Sequence, residues 1–435
     1  VKEIPDNTIN VVAAYINEAN NRPPRVPVIT VDDDVNTPHY FEIIPFDEID
    51  AFERKVFAID GSYNSQEFYN GVYIGLYTAG YICYYKGKQI KLNNLNDPVI
   101  MGKSYFPNNI LITNDAHRQA IYDELLFLEP VKKLILFFDE PNIDNIWGFS
   151  KEIICSSVSK LLAFCQEILE WALALEILNL PVIQKGDIIL RDGVLRSIYI
   201  KQKYLIKIGV LAHRLGVVLL AVTKNSPIKL ELSSSFKKID LYLQQDKKPS
   251  YPFTIQKQRW QKLCCWFEVN DDVLLSAYPE AEERKANQSS DTPKANKNYS
   301  MFATNNLNGG RGFGIFYVAR LDYVEKLQNY DWVVLDMNIF DIIPTITKKM
   351  NEREVRVAER DIAFLENITK ELTRLTQEHY ILGYPYPLVE VHNFVTLKND
   401  FNDELINRVK ASLYQSQMMD HVDIENLFLD IHERF

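Results

Sequence analysis

Short apolar runs bounded by turn residues alternate along this chain with longer stretches in which apolar residues recur every three or four positions. Val56-Phe-Ala-Ile-Asp60-Gly-Ser-Tyr63 is one such run, and Asp187-Ile-Ile-Leu-Arg-Asp192-Gly-Val-Leu195 repeats its pattern far downstream. Runs of this length predict buried strands, each delivering a carboxylate at its end before the chain turns on the glycine. Between them, residues 70–85 are rich in aromatic and branched side chains, and Lys86-Gly87 leads into Lys88-Gln-Ile-Lys-Leu92. That composition predicts a long strand and its hairpin partner. From Lys151 to Leu178 the apolar residues keep helical spacing without proline or glycine, predicting a single long helix ended by Pro181. A strand to Asp192, a helix over residues 198–215 capped by Gly216, and a buried strand over residues 217–222 complete the block. Leu134-Ile-Leu-Phe-Phe138 reads as a further strand inside a stretch, residues 93–145, that has no clear long period.

Three meandering strands followed by helix, strand, helix and strand imply a mixed sheet covered by helices. The expected class is α/β, with a ribonuclease H-like mixed sheet flanked by helices, inserted segments and a helical C-terminal part. Carboxylates on neighbouring strands, Asp60 and Asp192, would converge on one point, and converging carboxylates bind divalent cations. Against this stands the ordinary role of Asp-Gly as a tight turn. A helix running antiparallel to the strand that follows it brings a third carboxylate into range. A six-residue strand spans roughly 20 Å, or about 13 helical residues, which counts back from Leu178 to the neighbourhood of Cys165. Glu170 is the first choice and Glu167 the second, whereas Glu176 falls beside the wrong end of the strand.

Lys224, just past the last strand of the block, could hold a phosphate. Asp32-Asp33-Asp34 reads as a solvated acidic loop, and residues 279–300 as a flexible loop nearly devoid of large apolar groups. Asn308-Gly-Gly-Arg-Gly-Phe-Gly314 lacks the lysine and hydroxyl of a phosphate loop and enters a strand, residues 315–319, so nucleotide binding is rejected. Another strand over residues 332–335 delivers Asp336. A charged helix is expected over residues 352–378, and the prolines of Gly383-Tyr-Pro-Tyr-Pro-Leu-Val-Glu-Val-His392 predict an extended path to the histidine.

Composition narrows the classes. The 435 residues are 47% hydrophobic and 24% charged, enough for a large core. No long uncharged apolar stretch or signal pattern stands out, so a cytoplasmic protein without membrane spans is expected. Five cysteines without a Cys-x-x-Cys spacing support neither a disulfide framework nor a zinc site. A net charge of −10 excludes a surface that grips nucleic acid everywhere, though not a local basic groove.

Three segments, in this order, resemble the NurA nuclease family: Ile59-Asp60-Gly61-Ser62, Leu190-Arg-Asp192-Gly193-Val-Leu195, and Gly383-Tyr384-Pro385 with Leu388 and His392. The apolar spacing of Ile9, Val12, Ala13, Tyr15 and Ile16 predicts an N-terminal helical arm over residues 1–42; the resemblance runs from about Ile43 to Asn393 and implies a nuclease domain over 43–435, with core 55–225 and residues 301–435 completing the site. It implies a ribonuclease H-like DNA nuclease, exo- and endonucleolytic, dependent on Mn²⁺ or else Mg²⁺. It further implies a homodimer partnered by a HerA-type hexameric ATPase, resecting single- and double-stranded DNA ends 5′ to 3′ at double-strand breaks. Carried over, it makes Asp60, Asp192 and Glu170 metal ligands, matches Tyr384 and His392 to the C-terminal catalytic pair, with His392 binding metal or moving a proton, and fits Lys224 to a catalytic lysine. Val194 and Val391 depart from the small residues usual at their positions.

Two other classes compete. One is a catalytically silent assembly partner of a DNA-translocating ATPase, in which the carboxylates would be dispensable. The other is an actin-like ATPase or sugar kinase, which needs two related halves that the chain does not show.

Overall fold

The computed structural model describes residues 9–14, 17, 41–44, 54–67, 73–86, 88–90, 92–94, 97–100, 102–105, 111–112, 115–224, 226–229, 232, 264–269, 313–321, 332–342, 345–350, 353–358, 361–377, 383–397, 399–416 and 424–425. Asp32-Asp33-Asp34 and the expected loop over residues 279–300 lie outside the described residues. Of the expected N-terminal arm, residues 9–14, 17, 41 and 42 are described: residues 9–14 form an exposed helix, α1, and Phe41 and Glu42 open a strand instead.

The chain divides into two compact units, each assembled from separated segments. One comprises Val1–Phe52, Gly193–Arg196 and Leu219–Tyr386; the other comprises Glu53–Asp192, Ser197–Val218 and Pro387–Phe435. The second unit carries β2 (Lys55–Glu67), β3 (Tyr73–Tyr85), β4 (Lys88–Ile90), β5 (Leu92–Asn94), β6 (Asp97–Ile100), β7 (Gly102–Tyr105), β8 (Leu111–Ile112) and β9 (Ile188–Asp192). Its helices are α2 (Asp115–Phe127), α3 (Glu129–Phe138), α4 (Lys151–Ile154), α5 (Val158–Leu178) and α6 (Gln202–Leu215), with α9 (Tyr386–Val395, from Pro387 onward) and α10 (Asn399–Ser416) returning to it.

The sheet of this unit runs β4-β3-β2-β9. The first three strands form an antiparallel meander, and β9, reached through α5, lies parallel to β2. Meander, helix, then a strand parallel to the first is the ribonuclease H-like order, and the class is mixed α/β. Strands β7 and β8 also pair with β3, and β5 with β6. Helix α5 packs on β2 and β3. Fifteen of its twenty-one residues are buried, so it serves as a core helix with little solvent face.

The other unit holds an antiparallel sheet, β1 (Phe41–Ile44), β11 (Cys264–Glu268), β12 (Gly314–Arg320), β13 (Trp332–Asn338) and β10 (Val218–Thr223), in that spatial order. Strands β12 and β13 are buried throughout, which accounts for their continuous apolar runs. A hairpin of β14 (Thr345–Met350) and β15 (Arg353–Ala358), with helices α7 (Ile339–Ile342) and α8 (Ile362–Gln377), completes it.

Five expectations are corrected. Residues 134–138 belong to α3, not to a strand: Val131, Leu134 and Phe138 are buried at helical spacing while Leu136 is 76% exposed. The long helix starts at Val158, because Ser157 accepts the N–H of Lys160 as an N-cap and separates it from α4. Helix α6 begins at Gln202 rather than near Ile198. The charged helix expected from residue 352 opens as strand β15 and turns helical only at Ile362. The segment before His392 is a helix, with Pro387 in the first turn, where a missing N–H costs nothing.

Candidate metal centre

Strand β2 does not end at its acidic residue. It continues through Asp60-Gly61 to Glu67, paired with β3 along its whole length, so this Asp-Gly is not a turn. The glycine serves a close approach instead. A Cβ at position 61 would lie 2.5 Å from Gln166 Cγ and 2.6 Å from Glu170 Oε1 on α5. The second Asp-Gly behaves as expected: Asp192 is the last residue of β9, and Gly193 turns the chain at φ +114°.

Val56 to Ile59 and Ile188 to Leu190 are buried, and the two strands pair in parallel with Ile59 opposite Arg191. Asp60 and Asp192 follow side by side. Asp60 is 6% exposed; its Oδ1 accepts the Gly61 N–H at 2.7 Å and its Oδ2 lies 2.8 Å from Nδ1 of His392. His392 reaches this point from α9, whose Leu388, Val391 and Val395 are buried. The end of that helix is tied to β2, because Ser62 Oγ accepts the Leu397 N–H and the Asn64 amide donates to the Leu397 carbonyl, both at 3.3 Å. Ligand atoms of Asp60, Asp192 and His392 all lie within 4.8 Å of one another. Two carboxylates and one imidazole, with Asp60 buried, Asp192 half-buried and His392 exposed, fit a divalent cation that takes hard oxygen ligands and one nitrogen.

Glu170 is buried, and it does not join that group of three. Its Oε2 accepts from Arg191 Nη2 at 2.6 Å and its Oε1 from the Gln166 amide at 2.7 Å. Burial pushes its carboxyl up to about 7, against the downward pull of Arg191 and with the Asp60 charge adding to the push. Glu167, one turn earlier, adds a further upward push. Lys224 and Tyr384 belong to the other unit, where the exposed Lys224 ammonium stands 3.9 Å from the centre of the Tyr384 ring. The Tyr384 side chain is buried and its hydroxyl donates to the Val222 carbonyl at 3.2 Å. Asp336 is not delivered at a strand end. It sits inside β13, buried, accepting the Leu195 N–H at 2.6 Å.

Sequence reasoning passed over Arg191, Gln166, Ser62 and Asn64. Arg191 and Ser62 stood inside the two Asp-Gly segments and were open to notice. Gln166 and Asn64 carried no signal, because their partners are set only by how α5 and α9 dock.

The second unit is thus a mixed α/β, ribonuclease H-like unit that gathers an Asp-Asp-His group able to hold a metal ion. Among solved structures the chain is similar to NurA nucleases over nearly its whole length. The NurA nuclease from Sulfolobus solfataricus matches 94% of this chain and 95% of its own, at 14% identity and a TM-score of 0.38. A second NurA structure covers 96% and 99% at 11% identity and 0.34, and a NurA structure with manganese covers 95% and 99% at 11% and 0.33. No family model matches the chain, and no curated protein matches it by sequence. Among the described residues, no helix is long and apolar enough to cross a membrane.

Proposed function

We propose that this chain is a metal-dependent DNA nuclease whose cation is Mn²⁺, with Mg²⁺ as its substitute. The observation that supports this reading most directly is the meeting of Asp60, Asp192 and His392, the first and last of them 332 residues apart in the chain, at one point of a ribonuclease H-like sheet. A divalent cation held there supplies Lewis-acid polarisation of a phosphodiester. Asp60 and Asp192 furnish the negative charge that holds it. The Gly61 N–H fixes one Asp60 oxygen, which orients the other towards the site. His392, 56% exposed at its side chain with Nδ1 2.8 Å from Asp60 Oδ2, offers the nitrogen ligand at the rim of that site.

The sequence resemblance extends the proposal. It implies catalytic roles for Lys224 and Tyr384, and a third, helical carboxylate ligand matched to Glu170, which among the described residues does not join Asp60, Asp192 and His392. It also implies a homodimer acting with a HerA-type hexameric ATPase, with exo- and endonuclease activity used for 5′ to 3′ resection of broken DNA ends in the cytoplasm.

The test is digestion of end-labelled single- and double-stranded DNA with Mn²⁺, Mg²⁺ or EDTA, comparing the native chain with Asp60→Ala. Cleavage by the native chain that needs Mn²⁺ and falls to background in the variant is the expected result. No cleavage under any condition, with the ATPase added, overturns the nuclease in favour of an assembly partner.

A further inference from the structure

Arg191 precedes Asp192 directly, and nothing in the proposed chemistry uses it. Its surroundings are nevertheless among the most constrained in the unit. The side chain is buried, ion-paired to Glu170 at 2.6 Å, and its guanidinium lies 4.9 Å from the centre of the Trp171 ring. Gln166 closes the other oxygen of Glu170 at 2.7 Å.

Strand alternation decides which face this cluster occupies. Ile59 and Arg191 are register partners in a parallel pair, so they share a face, and Gly61, two residues beyond Ile59, shares it too. Helix α5 covers that face, since a Cβ on Gly61 would meet Glu170 and Gln166. Asp60 and Asp192 are each displaced by one residue and project from the opposite face, where His392 meets them. Glu170 and the Asp-Asp-His group therefore lie on opposite sides of the same two strands, with both Glu170 oxygens engaged on its own side.

Resting on the metal-centre reading above, we propose that Arg191 is a positioning residue, and that Glu170 serves the site by anchoring Arg191 rather than by ligating the cation. The Arg191–Glu170 pair fixes the last strand residue before Asp192. Gly193, directly after it, turns the chain at φ +114° with its N–H bonded to the Val222 carbonyl at 3.1 Å, so Asp192 is held between the anchored strand end and this turn. A guanidinium suits this task better than an ammonium, because one of its N–H groups bonds the Glu170 carboxylate while the delocalised cation lies 4.9 Å from the centre of the Trp171 ring. Partners that orient a metal ligand typically contribute about 10- to 100-fold in metal affinity.

The experiment measures Mn²⁺ binding to the full chain from the paramagnetic resonance signal of free Mn²⁺, without DNA. The expected result is a 10- to 100-fold weaker affinity in Arg191→Lys and Arg191→Met, of about the size given for such partners. Glu170→Gln should weaken binding similarly, with Glu170→Gln/Arg191→Met no weaker than the worse single variant. Leu173→Ala, a core truncation elsewhere in α5, should lower Tm and leave Mn²⁺ affinity unchanged. If Arg191→Met does not fold by far-UV circular dichroism, Arg191→Lys decides, since it keeps the buried charge. Native or tighter affinity in the Arg191 variants overturns the inference, tighter binding marking a freed Glu170 as a ligand. A native chain that binds no Mn²⁺ overturns the metal-centre reading together with this inference, whereas native binding with unmoved variants overturns this inference alone.

Discussion

A single missing side chain at position 61 lets the buried carboxylate of α5 come up against β2 beside Asp60. Gly61→Ala would place a methyl 2.5 Å from Gln166 Cγ and 2.6 Å from Glu170 Oε1. The expected cost is about 1–3 kcal/mol, as for overpacking in a close-packed core, measured by urea denaturation. Because the nearest atom belongs to a flexible glutamine, Gly61→Ala/Gln166→Ala should recover part of that loss, a coupling expected only between residues in contact. Additive losses would show that α5 does not approach Gly61 so closely. This glycine could be read from the sequence, but its reason could not. Asp-Gly predicts a turn, and only the packing of a helix on the strand distinguishes a turn glycine from one kept small by a neighbour.

At the scale of elements, several short segments took a form opposite to their local pattern. Leu134-Ile-Leu-Phe-Phe138 has strand composition, yet Pro130 in the first turn and burial of Val131, Leu134 and Phe138 place it on a helix packed against α5. The end of that helix is joined to α6 through Glu140, which accepts from the Tyr204 hydroxyl at 2.5 Å and the Asn145 amide at 2.9 Å. These bonds, led by Tyr204, hold the Glu140 carboxyl down at about 2, below its ordinary 4.5. A carboxylate depressed on folding contributes stability above its unfolded value and loses it as pH falls towards the folded one. Glu140→Gln should therefore melt below the native chain at neutral pH, with the gap in Tm narrowing between about pH 5 and about pH 3. A gap independent of pH would mean that the charge of Glu140 does not support this junction. In the C-terminal segment the prolines pointed to an extended path, but Pro387 lies where a helix tolerates it, and the helix is what carries His392.

For the whole molecule, the organisation into two units assembled from alternating segments has a consequence for metal binding. Asp60, Asp192 and His392 all belong to the second unit, and a ligand stabilises the state that binds it by mass action. Mn²⁺ should raise hydrogen-exchange protection in β2, β9 and α9, with little change in the β12–β13 pair of the other unit. Equal change in both, or none, would count against the Asp-Asp-His group as the cation site. A net charge of −10 is consistent with a localised cation site and excludes only a surface that is basic throughout.

The sequence by itself determined the strongly patterned elements: the buried first half of β2, β3, β9, β10, β12 and the greater part of α5, along with the α/β class. Those follow from burial, since an element covered on both faces must be apolar throughout, and that shows in composition. Tertiary structure alone decided the face on which each carboxylate stands. Glu170 and Glu167 were both in range by distance along the helix. Yet a one-residue alternation in β2 and β9 puts Asp60 and Asp192 with His392, and leaves Glu170 with Arg191 on the other side. Distance along a helix is local and can be counted, whereas facing depends on register between strands remote in the chain, which no single segment encodes.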